Sequence, residues 1–154
     1  MFFETIYCWF SSLFGGDMTD FLSGYVCPSE ETEGGFLASN QFVMYGFIAL
    51  GIALFFVLLY YYVINHPRFN RWWSWLIVLL IVSSANLFIG AGMTLGDLGA
   101  GNIEECIING ENGGIYESTC WMFGIANFLV SAIFFILFSI GLKWWSTNCK
   151  RTPF

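Results

Sequence analysis

Basic residues are scarce in this chain, and their placement is uneven. Its 154 residues hold five Lys and Arg and one His, and none of the five lies before Arg68 or between Arg71 and Lys143. With His66 as the sole histidine, haem ligation by two histidines is excluded, and no CxxC or Cys/His spacing suggests zinc. No internal repeat is visible, so a duplicated transporter architecture is unsupported. The three long apolar stretches have no Asp, Glu, Lys, Arg or His in their interiors. Proton relays, voltage sensors and ion-coupled transporters place such groups there. The carboxylates form no recognisable catalytic pair. These absences point away from an enzyme, a cofactor or a resident metal, and nucleic acid is not expected as a partner.

Apolar residues are what the chain has in excess. It is 57% hydrophobic and 10% charged, with 18 Phe, a balance outside the usual range for soluble domains. Residues 42–64, 72–94 and 121–142 each meet the requirement of roughly 20 apolar residues for a core of about 30 Å. The expected fold is an all-α integral membrane protein. Three transmembrane helices are joined by a hairpin at 65–71 and an acidic outer loop at 95–120. An amphipathic interfacial helix at 1–15, an acidic outer segment at 16–41 and a tail at 143–154 complete the chain.

Orientation follows from the rule that Lys and Arg near span ends stay on the cytoplasmic side. Arg68 and Arg71 place the 65–71 hairpin there, and Lys143, Lys150 and Arg151 place the tail there. The N-terminus is then outside and the C-terminus inside a cytoplasmic or plasma membrane. Tyr60, Tyr61, Tyr62, Trp72, Trp73, Trp75, Trp144 and Trp145 gather at the inner ends, where amphipathic rings suit the headgroup region. All eleven acids fall on the outer side: Glu4, Asp17, Asp20, Glu30, Glu31, Glu33, Asp97, Glu104, Glu105, Glu111 and Glu117. The plain reading is a solvated ectodomain surface, and the sharper one a vestibule for cations or a basic partner. Asp97, Asn102, Glu104 and Glu105 offer oxygen ligands to a hard cation, but their spacing does not match an EF-hand.

Segment 1–14 lacks the positive n-region of a signal peptide and is too short to span. Phe2, Phe3, Ile6, Trp9, Phe10, Leu13 and Phe14 follow helical spacing, opposite Glu4, Cys8, Ser11 and Ser12, and predict one surface helix ending at Gly15-Gly16. In the 95–120 loop the glycines predict turns, and Cys106-Ile107-Ile108 predicts a short strand with a hairpin across Asn109-Gly110. Four cysteines, Cys8, Cys27, Cys106 and Cys120, fall outside, where oxidising conditions preserve disulfides. The favoured pairs are Cys106 with Cys120, closing one loop, and Cys8 with Cys27, with free thiols as the alternative. Cys149, inside, reads as a bystander or a juxtamembrane acylation site.

In the second span Ser83, Asn86, Gly90 and Thr94 share one helix face, and Gly124, Asn127 and Ser131 form a smaller match in the third. Gly46 and Gly51 in the first span are not a GxxxG pair. Polar and small residues in spans are contact residues between helices or the lining of a water-filled path. The expected function is therefore a non-enzymatic membrane protein working through contacts with other membrane subunits or itself, as an accessory subunit or an immunity-type binding protein. The alternative is a homo-oligomeric, cation-favouring channel or pore lined by the second-span stripe.

Overall fold

An apolar segment in lipid must satisfy its own backbone hydrogen bonds, which an α-helix does within one segment. The computed structural model describes residues 2–28, 34–36, 40–64, 72–109 and 114–143. Three of its helices are long and apolar enough to cross a membrane. They are α4 (Gln41–Leu58), which continues as a π-helical stretch over Leu59–Ile64, α5 (Trp72–Ala100) and α7 (Glu117–Lys143). Shorter pieces surround one end of this bundle. These are α1 (Phe2–Cys8), α2 (Ser11–Phe14), α3 (Gly16–Ser23) and α6 (Glu105–Ile108). Strands β1 (Tyr25–Val26) and β2 (Gly35–Phe36) pair antiparallel, Tyr25 opposite Phe36, and add a small ribbon to the expected all-α fold.

Helix α5 runs antiparallel to α7, with Trp75 level with Ser139, Asn86 with Ser131, and Phe88 with Trp121. Helix α4 lies beside α7, where Tyr45 meets the Phe123 ring edge to face. The chain enters α4 through Asn40, whose Oδ1 accepts the Phe42 N–H at 3.0 Å. That bond satisfies one of the otherwise free amides of the first turn.

Two boundaries differ from the sequence expectation. Helix α5 continues past Thr94 to Ala100, through Gly96 and Gly99, which the sequence reading assigned to turns. Each helical glycine costs about 1 kcal/mol relative to Ala. Leu95 and Leu98, packed against the core, offset that cost. The helix stops at Gly101, which has φ 72°. Its N–H donates to Leu98 O at 3.3 Å, and the Asn102 N–H donates to Asp97 O at 3.0 Å. This is the two-bond Schellman closure, and it needs a left-handed residue where glycine stands. Residues 105–108 form the single helical turn α6 rather than a strand, because Glu104 O accepts the N–H groups of both Ile107 and Ile108.

The N-terminal helix also departs from expectation. It is broken at Trp9-Phe10 into two short helices, while its end at Gly15 (φ 85°) falls where the sequence puts it, and α3 follows from Gly16. Its buried face is Phe3, Tyr7 and Phe14, with Ile6 and Phe10 against the core, while Phe2, Trp9 and Leu13 are exposed. Tyr7 stacks on Phe42 and lies near Phe123, whereas Phe3 meets Phe47 and Phe134. Since 42 precedes 47 in α4 and 123 precedes 134 in α7, α1 runs counter to both and its start reaches further along the bundle than its end. Gly46 makes this fit possible. A Cβ there would overlap the Phe3 ring.

Candidate functional site

The second-span stripe is buried throughout. Ser83, Asn86 and Thr94 have 0% exposure and Gly90 is buried with them. Asn86 Nδ2 donates to Ser131 Oγ at 2.8 Å and to Val82 O at 3.0 Å. Asn127 Nδ2 donates to Asn86 O at 3.1 Å, and the Tyr7 hydroxyl donates to Asn127 Oδ1. A chain of side chains thus links α1, α7 and α5. Thr94 Oγ1 donates back to Gly90 O at 3.0 Å, which satisfies the hydroxyl within its own helix.

Small residues set the spacing of this seam. A Cβ on Gly90 would lie 2.7 Å from Asn127 Nδ2 and 3.2 Å from Asn127 Cβ. On Gly124 it would lie 2.9 Å from Leu87 O and 3.0 Å from Ala91 Cβ. The two helices therefore come close where each glycine faces the other helix, and the Asn127 amide fills the groove that Gly90 leaves. Among the described residues, Ser83 Oγ, Asn86 Oδ1 and Tyr45 Oη are buried without a hydrogen-bond partner. Burial, with a smaller contribution from Tyr45, raises the Tyr7 phenol above its ordinary value and keeps it a donor.

Tyr7 was not among the residues that the sequence reading placed on the buried face. Its hydroxyl reads as an interfacial group, and only the position of α1 against α7 brings it to Asn127.

At the end of the bundle formed by Gln41, Ala100 and Glu117, the cysteines pair differently from expectation. Cys27 is joined to Cys106, with Cα atoms 6.4 Å apart and a sequence separation of 79, while Cys8 and Cys120 are free. Cys120 sits on α7 with 0% exposure, and Cys106 is taken by Cys27. Cys106 is carried on α6, which packs against α3, the helix leading into β1 and Cys27. The bond therefore ties two distant segments into one layer instead of closing a separate loop domain. Cys8, at the exposed end of α1, has its thiol pushed up by partial burial and by Glu4.

Several acids of this end are acceptors within the fold. Asp17 is 6% exposed, and its Oδ2 accepts the Gly114 N–H at 2.7 Å. Glu104 Oε2 accepts the Cys27 N–H at 2.7 Å, Asp97 Oδ1 accepts from Asn102 Nδ2 at 3.1 Å, and Glu4 Oε2 accepts from Asn40 Nδ2 at 3.3 Å. Partial burial and the nearby Asp17 raise the Asp20 carboxyl. Among the described residues, the side chains close enough to share an ion are Cys27, Glu104 and Cys106, and two of these form the disulfide. The expected oxygen set is divided, with Asn102 turned to Asp97 and Glu104 to Cys27.

Arg68, Arg71, Lys150 and Arg151, with His66, Cys149, Trp144, Trp145, Glu30, Glu31, Glu33 and Glu111, lie outside the described residues. At the other end of the bundle Trp75 Nε1 donates to Ser139 Oγ at 3.1 Å, and Trp72 and Trp73 are exposed. The chain matches no protein-family model, no curated protein and no solved structure.

Proposed function

We propose that this chain is a non-enzymatic membrane protein that acts through protein contacts at its acidic end, as an accessory subunit or as a binding protein of the immunity type. The observation that carries the reading is the use made of the polar stripe. Ser83, Asn86, Gly90 and Thr94 are buried against α7, and Asn86 and Asn127 bond each other's helices. Polar groups within the spans thus cement the bundle, in the way interhelical hydrogen bonds do, at about 0.6 kcal/mol each on average. Specificity is left to the layer that the Cys27–Cys106 bond draws together, which exposes Phe36 and Tyr116.

Orientation belongs to the same proposal. The acidic layer faces an oxidising outer compartment, consistent with its disulfide, and the Lys- and Arg-bearing segments face the cytoplasm. Burial of the stripe within one chain favours this reading over a homo-oligomeric pore lined by the same residues. The test is affinity isolation of the full chain from its own membrane in mild detergent, with mass measurement. A second polypeptide at fixed ratio, lost on Phe36→Ser or Tyr116→Ser with the disulfide intact, is expected. A symmetric ring of this chain alone that conducts cations would overturn the proposal.

A further inference from the structure

Two cysteines and a carboxylate meet where the acidic layer is joined. The sulfurs of Cys27 and Cys106 and a carboxylate oxygen of Glu104 all lie within 4.8 Å of one another. While the sulfurs are bonded to each other they offer a metal little, because the thiolate is the form that binds. Reduction changes the donor set. A dithiol passes two electrons and two protons to the bond, closes its own disulfide, and leaves Cys27 and Cys106 as thiols. A divalent cation then replaces the two thiol protons, which go to water.

The local fold suits the opened pair to a cation. The Cα atoms stand 6.4 Å apart, toward the wide end of the roughly 4.4–6.8 Å that disulfides span, so the sulfurs can separate by side-chain rotation. Tetrahedral bonds of about 2.3 Å from zinc to sulfur call for sulfurs about 3.8 Å apart. Glu104 Oε2 accepts the Cys27 N–H at 2.7 Å, which holds the carboxylate beside the sulfurs and leaves Oε1 to bind. Carboxylates that ligate metals are oriented by such hydrogen bonds. Glu104 and Cys106 are exposed, so a cation has a path in and water can take a fourth position.

We infer that Cys27, Cys106 and Glu104 form a binding site for a zinc-type divalent cation when the disulfide is reduced. Two thiolates select against Ca²⁺ and Mg²⁺, which take oxygen ligands, and the carboxylate favours borderline Zn²⁺ over the softer Cu⁺. Because Cys27 and Cys106 are 79 residues apart, the cation ties the same two segments as the disulfide and keeps the layer joined where a thiol reductant is present. That separation is also why no short cysteine spacing announces the site. The inference goes beyond the contact reading above and does not depend on it.

The experiment uses the full chain in mild detergent with Cys8, Cys120 and Cys149 replaced by Ser, so that the pair supplies the remaining thiols. After reduction by a dithiol and its removal under argon, Co²⁺ is titrated as a coloured stand-in for zinc. One equivalent should bind, with thiolate-to-cobalt absorption and the visible bands of a tetrahedral ion, and Zn²⁺ should displace it. The oxidised chain should give neither. Glu104→Gln keeps an acceptor for the Cys27 N–H and should weaken binding at least about tenfold, the lower end of what groups supporting a metal ligand contribute. The unsubstituted chain supplies a second reading. After reduction, Zn²⁺ should protect Cys27 and Cys106 from alkylation, mapped by mass spectrometry, and leave Cys8 reactive. Absence of the cobalt bands, equal affinity in Glu104→Gln, or equal affinity in a denaturing detergent, where the fold no longer gathers the three side chains, would overturn the inference.

Discussion

Replacing Gly90 by Ala adds one methyl group at a close approach between α5 and α7. The new carbon would stand 2.7 Å from Asn127 Nδ2, 3.2 Å from its Cβ and 3.3 Å from its Cγ. Rotating the amide relieves only the first of these contacts, because Cβ is fixed to the α7 backbone. Either the helices separate or Asn127 shifts and gives up its bonds to Asn86 O and Tyr7. Overpacking of this kind costs about 1–3 kcal/mol, and an interhelical hydrogen bond adds about 0.6 on average. Against that, Ala is favoured over Gly in a helix by about 1 kcal/mol. The net expectation is a loss of about 1–3 kcal/mol. Gly92→Ala, two residues along, meets nothing within 4 Å and should be neutral or stabilising by up to about 1 kcal/mol. Equilibrium unfolding of both variants in one detergent reads the difference directly, and Asn127→Ala should restore part of the Gly90→Ala loss. The reasoning is refuted if Gly90→Ala proves as stable as Gly92→Ala.

Other consequences can be checked with single variants. Cys27→Ser or Cys106→Ser should release a free thiol and lower stability by up to about 4.5 kcal/mol, the loop-entropy value for a closure of this length, whereas Cys8→Ser and Cys120→Ser should leave the non-reducing gel pattern unchanged. Tyr7→Phe keeps the buried ring but strips Asn127 Oδ1 of its donor, and should cost about 1–3 kcal/mol in the same unfolding assay. Asp17→Ala should cost about 1.5–3 kcal/mol by freeing the Gly114 N–H, seen as faster amide exchange around 114–116. A maleimide should modify Cys8 and spare Cys120 in the folded chain, and the Cys8 reaction should quicken as pH rises toward its raised thiol pKa.

The helices long and apolar enough to cross a membrane were legible because their signal is length and hydropathy, which do not depend on what packs where. The stripe was legible for a related reason: Ser83, Asn86, Gly90 and Thr94 repeat at helical spacing whatever they face. What they face was not readable, since the choice between a partner helix and water depends on α7 and Tyr7. The end of α5 was misread because Gly96 and Gly99 are turn formers in isolation, and their place in the helix rests on neighbours that pack. Disulfide pairing turned on a similar matter. Adjacency in sequence favoured Cys106 with Cys120, yet the rotation of α7 buries Cys120 and the turn α6 carries Cys106 toward β1. The acids looked like one solvated surface. Asp17 and Glu104 also hold the backbone amides of Gly114 and Cys27, and Asp97 the Asn102 side-chain amide, partners that the sequence does not locate.

The second-span stripe is sealed within the chain. Ser83→Cys and Thr94→Cys, each in a chain carrying Cys8→Ser, can be exposed in the native membrane to a charged, membrane-impermeant thiosulfonate reagent. Both positions have 0% exposure, so the new thiols should remain unmodified until the protein is unfolded. Rapid modification of both positions in the folded protein would instead show a water-filled path along the stripe and contradict the account.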